Sequence, residues 1–223
     1  MPKPKQTCKI IHAGRIDYDE ALRMQMELLA EVQADPGKSF LILLTHDPVY
    51  TLGRNGDRAN VLITDERLEE IGAKVVRIHR GGDVTYHGPG QIVGYPILSL
   101  TRHGLHIRGY FDKLETVLTN VLKRYNIEGH SVEEFPGVWV GREKIAAIGV
   151  GIKRWITFHG FALNANTDMS YFSHIIPCGI RGKAVTSMQK ILAETVNEES
   201  LVKHIAEEFL REFGMRDVSN CAG

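Results

Sequence analysis

Cys178 stands between Pro177 and Gly179, where a turn can present a side chain at a strand end. A thiolate is both a strong nucleophile and a good leaving group, so a cysteine in that setting is a candidate acyl acceptor. The commoner role of a free cysteine is that of a small buried hydrophobe. Lys144 is the second candidate. It opens the otherwise apolar run KIAAIGVGI, Lys144 to Ile152. Partial burial there brings an amine toward the range useful for proton transfer, although a lysine at a strand end more often extends to water. The pair carries more than either residue. A thiol with a pKa of about 8.5 is only a few per cent thiolate at neutral pH, and a neighbouring cation lowers that pKa by about a unit or more. The amine can also take the thiol proton and later return one to a departing thiol. The two residues are far apart in sequence, so their meeting is an expectation about the fold.

The histidines offer other chemistry. His87, and His159 ahead of Gly160, leave a Cys–His dyad open. His103 and His106 have the spacing of one helical turn but lack the glutamate and third ligand of a zinc protease site, so no metal is expected. No G-x-x-x-x-G-K-[ST] loop and no dinucleotide G-x-G-x-x-G occurs, which leaves no nucleotide-phosphate motif.

The stretch Arg80 to Gln91, RGGDVTYHGPGQ, packs four glycines around Asp83, Thr85, Tyr86 and His87. Glycine permits close backbone approach and positive φ. Two readings compete: a tight hairpin between strands Lys74 to His79 and Ile92 to Leu100, or one wall of a binding site.

These residues need elements to hold them. Lys9 to Ile11 is a short strand candidate. A helix is expected from Tyr18, capped by Asp17 and stopped at Asp35-Pro36-Gly37, with Ala21, Leu22, Leu28, Leu29 and Val32 on one face. Phe40 to Leu44 is continuously apolar, the mark of a strand buried on both faces. Thr45 to Arg54 is expected as a loop around Pro48, and Thr64-Asp65 starts a short helix to Ile71 with Gly72 at its end. Tyr110 to Tyr125 reads as an amphipathic helix. Phe135 to Gly141 reads as a strand leading into a turn. Lys144 to Ile152 and Trp155 to Leu163 read as a hairpin across Lys153-Arg154, with a polar turn at Asn164 to Asp168 and a buried strand end at Ile175 to Ile180. The last helix starts at Asn197 and buries Leu201, Val202, Ile205, Phe209, Leu210 and Phe213. Strands interleaved with helices predict an α/β or α+β domain, and the hairpin excludes an all-parallel sheet.

The bulk properties narrow the function class. The chain has 223 residues, 43% of them hydrophobic, enough for a sizeable core. Its 27 basic and 27 acidic residues cancel, so there is no basic excess to meet nucleic-acid phosphates. No apolar run has the length of a bilayer span, and the first residues lack the apolar core of a secretory signal. Cys8, Cys178 and Cys221 are too few for a disulfide framework, which points to a cytoplasmic location.

With these pieces in place, the chain resembles the octanoyltransferases of lipoate biosynthesis, also called lipoyl(octanoyl) transferases or the lipoate–protein ligase B family. The matching stretches are HDPVYTLGR (His46 to Arg54), RGGDVTYHGPGQIVGYPIL (Arg80 to Leu98), GVWV with KIAAIGV (Gly137 to Val150), WITFHGFALN (Trp155 to Asn164), and IIPCGI with AVTSM (Ile175 to Met188). They run in the family's order across positions 46–188. Asp83 stands where glutamine is more usual, and Met188 where leucine is. The resemblance implies the fold of the biotinyl/lipoyl protein ligase superfamily, related to class II aminoacyl-tRNA synthetases: a mixed sheet with flanking helices, in one catalytic domain over residues 1–223. It implies transfer of octanoyl from octanoyl-acyl carrier protein to a lysine of lipoyl domains, those of 2-oxoacid dehydrogenase complexes and of the glycine cleavage H protein. Cys178 matches the acyl-accepting cysteine and Lys144 the lysine that tunes it. Substrate-binding positions carry over to Arg80, Gly81, Gly82, Asp83, Val84, Thr85, Tyr86 and His87, to Ala147, Ile148 and Gly149, and to Gly160, Phe161 and Ala162. No cofactor, ATP or metal is implied. Three rivals remain: an ATP-dependent lipoate or biotin ligase, a non-catalytic acyl- or lipoyl-domain-binding module, and a Cys–His hydrolase.

Overall fold

The computed structural model describes residues 6–176 and 184–219. Its main sheet has eight strands, and its order is not that of the chain. From one edge to the other run β11 (Met215–Asp217), β1 (Gln6–Ile16), β2 (Phe40–His46), β6 (Gln91–Ile97), β10 (Ile156–Asn164), β9 (Glu143–Lys153), β8 (Gly137–Val140) and β7 (His130–Ser131). The first pairings, β11 with β1 and β1 with β2, are parallel. All later ones are antiparallel, so the sheet is mixed, as expected. A second sheet of three strands has β3 (Val49–Leu52) in the middle, parallel to β4 (Lys74–Arg77) and antiparallel to β5 (Val84–His87).

Helices cover both faces of the main sheet. On one side α3 (Ile107–Lys123) and α5 (Glu198–Glu212) seal the largest core, which includes Leu114, Val117, Leu118 and Val121 from α3 and Leu201, Ile205 and Phe209 from α5. On the other side α1 (Tyr18–Ala34) buries Ala21, Leu28, Leu29 and Val32 against Ile42, Val93, Tyr95 and Phe158. The expected Asp17 cap is in place, and Asn197, read as the start of the last helix, is its cap. Asp17 accepts from the Asp19 N–H at the start of α1, and Asn197 accepts from the Ser200 N–H at the start of α5. Two shorter helices, α2 (Asp65–Glu70) and α4 (Met188–Leu192), start at Thr64 and Ser187. Among the described residues no helix is long and apolar enough to cross a membrane.

The expected hairpin between β9 and β10 forms, but its turn lies one residue later than Lys153-Arg154: Lys153 still pairs with Ile156, and Arg154 and Trp155 close it at φ +53° and +64°. Positive φ at both central positions matches the right-handed twist of the flanking strands. The hairpin reading of the glycine-rich stretch does not hold: β4 and β6 lie in different sheets. Nor is Thr45 to Arg54 simply a loop, because Val49–Leu52 becomes the central strand of the small sheet. Its β-branched and aromatic residues suit a strand, but Pro48 and Gly53 on either side mask it in the sequence. His103 and His106 go to structural tasks. His103 Nε2 meets Ser39 Oγ at 3.1 Å, and His106 Nδ1 caps α3 by accepting from the Gly109 N–H. Among the described residues no group of three or more candidate ligands could hold a metal ion. Cys8 is buried in the main core, and Cys221 lies outside the described residues.

Candidate active site

A cavity of about 470 Å³ opens between the two sheets, within the range of ordinary small-ligand sites. Its floor is the β9–β10 hairpin, through Ala147, Ile148 and Gly149 on one strand and Gly160, Phe161 and Ala162 on the other. Its wall is the glycine-rich stretch, through Arg80, Gly81, Gly82, Asp83, Val84, Thr85 and His87. Lys144 lines it too. Thus segments separated by dozens of residues in the chain meet here, and the glycine-rich stretch lines one side of a cavity.

The Lys144 side chain is buried, 9% exposed. Its Nζ donates to the Pro136 carbonyl at 3.2 Å and sits 4.9 Å from the centre of the Trp139 ring, a favourable site for a cation. The register of β8 on β9 shifts between Val138 and Trp139, the latter paired with Lys144; such a bulge re-aims a side chain. Ile145 and Ala146 accordingly both enter the core while Lys144 faces the cavity. The Lys144 backbone is also pinned. Its N–H donates to the Ala184 carbonyl, and its carbonyl accepts from the Thr186 N–H, each at 3.0 Å. Cys178 lies outside the described residues; the described chain before it ends at Ile176, whose N–H donates to the Asn60 carbonyl.

The wall is held shut by Arg80. Its Nη2 donates to the Thr51 carbonyl at 2.7 Å and to Thr51 Oγ1 at 2.9 Å, and its Nη1 to the Gly81 carbonyl at 2.9 Å. The Gly81 N–H in turn donates to the Val150 carbonyl on β9. Gly53 is needed where the two loops touch, since a β-carbon there would collide with the Gly82 carbonyl. Asp83, the departure from the family pattern, turns to the neighbouring loop. Its carboxylate accepts from the Asp57 N–H at 3.2 Å and from Asn60 Nδ2.

Six residues along β9 from Lys144, or roughly 20 Å of strand, the cavity ends among polar aromatics. Gln91 Nε2 donates to the Tyr86 carbonyl and to Asn164 Oδ1, so its Oε1 accepts from His87 Nδ1 at 2.7 Å. That fixes the tautomer and leaves His87 Nε2 as a lone-pair acceptor. Burial is the main cause that pushes His87 down to about 3, with His46 nearby adding to it. His46 is similarly locked. Its Nδ1 donates to the Ile16 carbonyl, its Nε2 accepts from the Tyr95 hydroxyl, and burial lowers it to about 4. His159 differs. It is 2% exposed, its φ is +55° in the middle of a strand, and neither ring nitrogen has a partner among the described residues. Burial, then Arg80, holds it at about 3. All these imidazoles are neutral at physiological pH, which makes them poor proton carriers and weakens the Cys–His alternative.

Of the expected cavity residues that the structure describes, Tyr86 alone is absent from the lining. Its ring stacks on Tyr171 at 4.7 Å and meets Tyr50 at 5.3 Å inside the small sheet's own core. Along β5, Thr85 and His87 face the cavity while Val84 and Tyr86 face the small sheet's core, and Val84, at the start of the strand, also borders the cavity. The cavity also takes Tyr18, Tyr95, Phe111 and Phe135. In the sequence these are indistinguishable from core aromatics, and only the fold reveals them.

The arrangement can hold an apolar chain between the hairpin and the glycine wall, with a cation at one end to bind or relay a proton. Comparison with known proteins supplies the family. A model of the lipoyl protein ligase A/B catalytic domain matches residues 17–210, wider than the motif-bearing core. The octanoyltransferase of Caldicellulosiruptor saccharolyticus is 47% identical over 209 residues, covering 93% of this chain and 89% of that protein. Among solved structures, the bipartite lipoate protein ligase of Thermoplasma acidophilum superposes with a TM-score of 0.76 at 13% identity, over 96% of this chain and 87% of that one. A lipoate-protein ligase A bound with ATP gives 0.70 at 14%, over 97% and 90%. At such identities the likeness is one of fold.

Proposed function

We propose that this chain, which belongs to the octanoyltransferase family, moves octanoyl from an acyl carrier protein to a lysine of a lipoyl domain through a thioester on Cys178. The observation that carries the reading is Lys144: a buried ammonium that touches a carbonyl and an indole face, at the end of a mostly apolar cleft. In the first half-reaction the Cys178 thiolate attacks the octanoyl carbonyl carbon. The tetrahedral oxyanion collapses, the carrier's thiolate leaves, and Lys144 donates the proton that neutralises it. In the second, the acceptor lysine's amine attacks the Cys178 thioester. The amide forms, the Cys178 thiolate departs, and the neutral Lys144 takes the amine's proton. Both residues end as they began. The oxyanion needs preorganised donors, and backbone N–H groups of the glycine-rich stretch or the Cys178–Gly179 turn would supply them. Thioester-to-amide exchange runs downhill, so the scheme needs no ATP, metal or other cofactor.

The acceptors in this reading are the lipoyl domains of 2-oxoacid dehydrogenases and the glycine cleavage H protein. The whole of residues 1–223 acts as one catalytic domain, in the cytoplasm. The test is transfer from octanoyl-acyl carrier protein to a lipoyl domain in the absence of ATP, followed by the acceptor's mass. Amide formation supports the transferase. A strict ATP requirement would instead place the chain with the adenylate-forming ligases whose fold it shares.

A further inference from the structure

We propose that Glu115 on α3 is a positioning residue for Lys144, acting through the single peptide group between Pro136 and Gly137. This rests on the reading that Lys144 carries the proton. The Gly137 N–H donates to Glu115 Oε1 at 3.1 Å. The carbonyl of the same peptide, that of Pro136, accepts from Lys144 Nζ at 3.2 Å. A carboxylate and an ammonium are thus joined through one planar amide, and each hydrogen bond polarises the other. Fixing the N–H end fixes the direction of the carbonyl at the other end.

The surroundings show that this peptide is held on purpose. Gly137 has φ +132°, and a β-carbon there would strike the Ala146 carbonyl, so only glycine gives the turn that presents both ends. The segment just before is tied back on itself: the Phe135 N–H donates to the Val132 carbonyl, and Trp139 Nε1 to the Phe135 carbonyl. Glu115 lies on the polar side of α3 near Arg108 and Asp112, in a groove shared with Lys123 and His130. Burial raises its carboxyl; the Gly137 N–H, Arg108 and Lys144 oppose that and Asp112 adds to it. The carboxylate does not line the cavity, so it acts on Lys144, through the peptide it holds and through its charge.

The test reads Lys144 directly and does not depend on octanoyl transfer. Competitive acetylation with trace acetic anhydride across pH, followed by peptide mass spectrometry, gives the titration midpoint of Lys144 in the intact protein. Glu115→Ala removes both the acceptor and the charge, and each loss disfavours the ammonium. The midpoint falls by roughly half a unit or more. Glu115→Gln keeps an acceptor and loses the charge, so its midpoint falls less. In transfer assays kcat drops about tenfold for Glu115→Ala with the acyl-donor KM unchanged, and Glu115→Gln recovers most of it. A Lys144 midpoint in Glu115→Ala equal to or above that of the wild type overturns the proposal. Should Glu115→Ala fail to fold, Glu115→Gln decides: an unchanged midpoint overturns the proposal there as well. Absence of transfer in the wild type, with the midpoint still shifted in the variants, would overturn the proposed function and leave this coupling standing.

Discussion

The cavity's two ends are built on opposite plans. At the β9 start, Lys144 is a charge whose contacts include the Pro136 carbonyl and the Trp139 ring face. At the other end, His87 is locked into a fixed tautomer by Gln91, His46 packs against it and is held by Tyr95 outside the lining, and His159 is neutral and buried. A group that must gain and lose a proton needs accessible charge states and a soft setting. A group that shapes a pocket needs one protonation state and a rigid one. Under the proposed function, chemistry falls to the Lys144 end and recognition to the histidine end.

Replacing Lys144 is the hardest blow to that division. Lys144→Met keeps the length and loses the proton relay, and single-turnover transfer falls at least about a hundredfold with the melting temperature nearly unchanged. Transfer within a few-fold of wild type would move the chemistry elsewhere. Next comes the wall. A β-carbon at Gly149 lies 3.0 Å from Arg80 Cδ, so Gly149→Val pushes on the clamp and fills the slot. Its KM for octanoyl donor rises about tenfold or more while kcat changes less; a pure kcat effect would contradict a binding role for that rung.

His159 sharpens the contrast at smaller scale. Its left-handed backbone and its ring nitrogens, which have no hydrogen-bond partner among the described residues, are two costs on one residue. His159→Gly relieves both and lengthens the slot. Stability holds or rises by about 1 kcal/mol, and the preference shifts toward longer acyl chains by several-fold, measured as kcat/KM for decanoyl against octanoyl donor. A large loss of stability would show that the ring is packing rather than poised for a ligand. The smallest effect concerns pH. His87 and His159 titrate near 6.5 when unfolded and at about 3 when folded. Protonation therefore favours the unfolded chain: their stability contribution is complete above pH 6.5 and is lost progressively as pH falls toward 3. Each costs about 0.7 kcal/mol between pH 7 and 6, visible in urea midpoints, and variants lacking either ring lose that share of the slope.

Much of this was legible in residue types. Asp17 and Asn197 mark their helix starts, the β9–β10 hairpin follows from its alternating and apolar runs, and the RGGDVTYH and KIAAIGV stretches converge on one cavity. What stayed hidden depends on long-range pairing. Val49–Leu52 is a strand only because β4 and β5 flank it. Tyr86 leaves the cavity because β5 is a strand at all, and a strand alternates. Asp83 finds Asn60 and the Asp57 N–H across a fold that its own neighbours do not foretell. Glu115 looks like any solvated helix carboxylate until α3 packs beside Gly137.

The most direct measurement is the intact mass of the protein after incubation with octanoyl-acyl carrier protein alone. The account predicts an increase of one octanoyl group, mapped by peptide analysis to Cys178, absent in Cys178→Ala and discharged on addition of a lipoyl domain. No adduct on the wild type, or an adduct that Cys178→Ala retains, would contradict it.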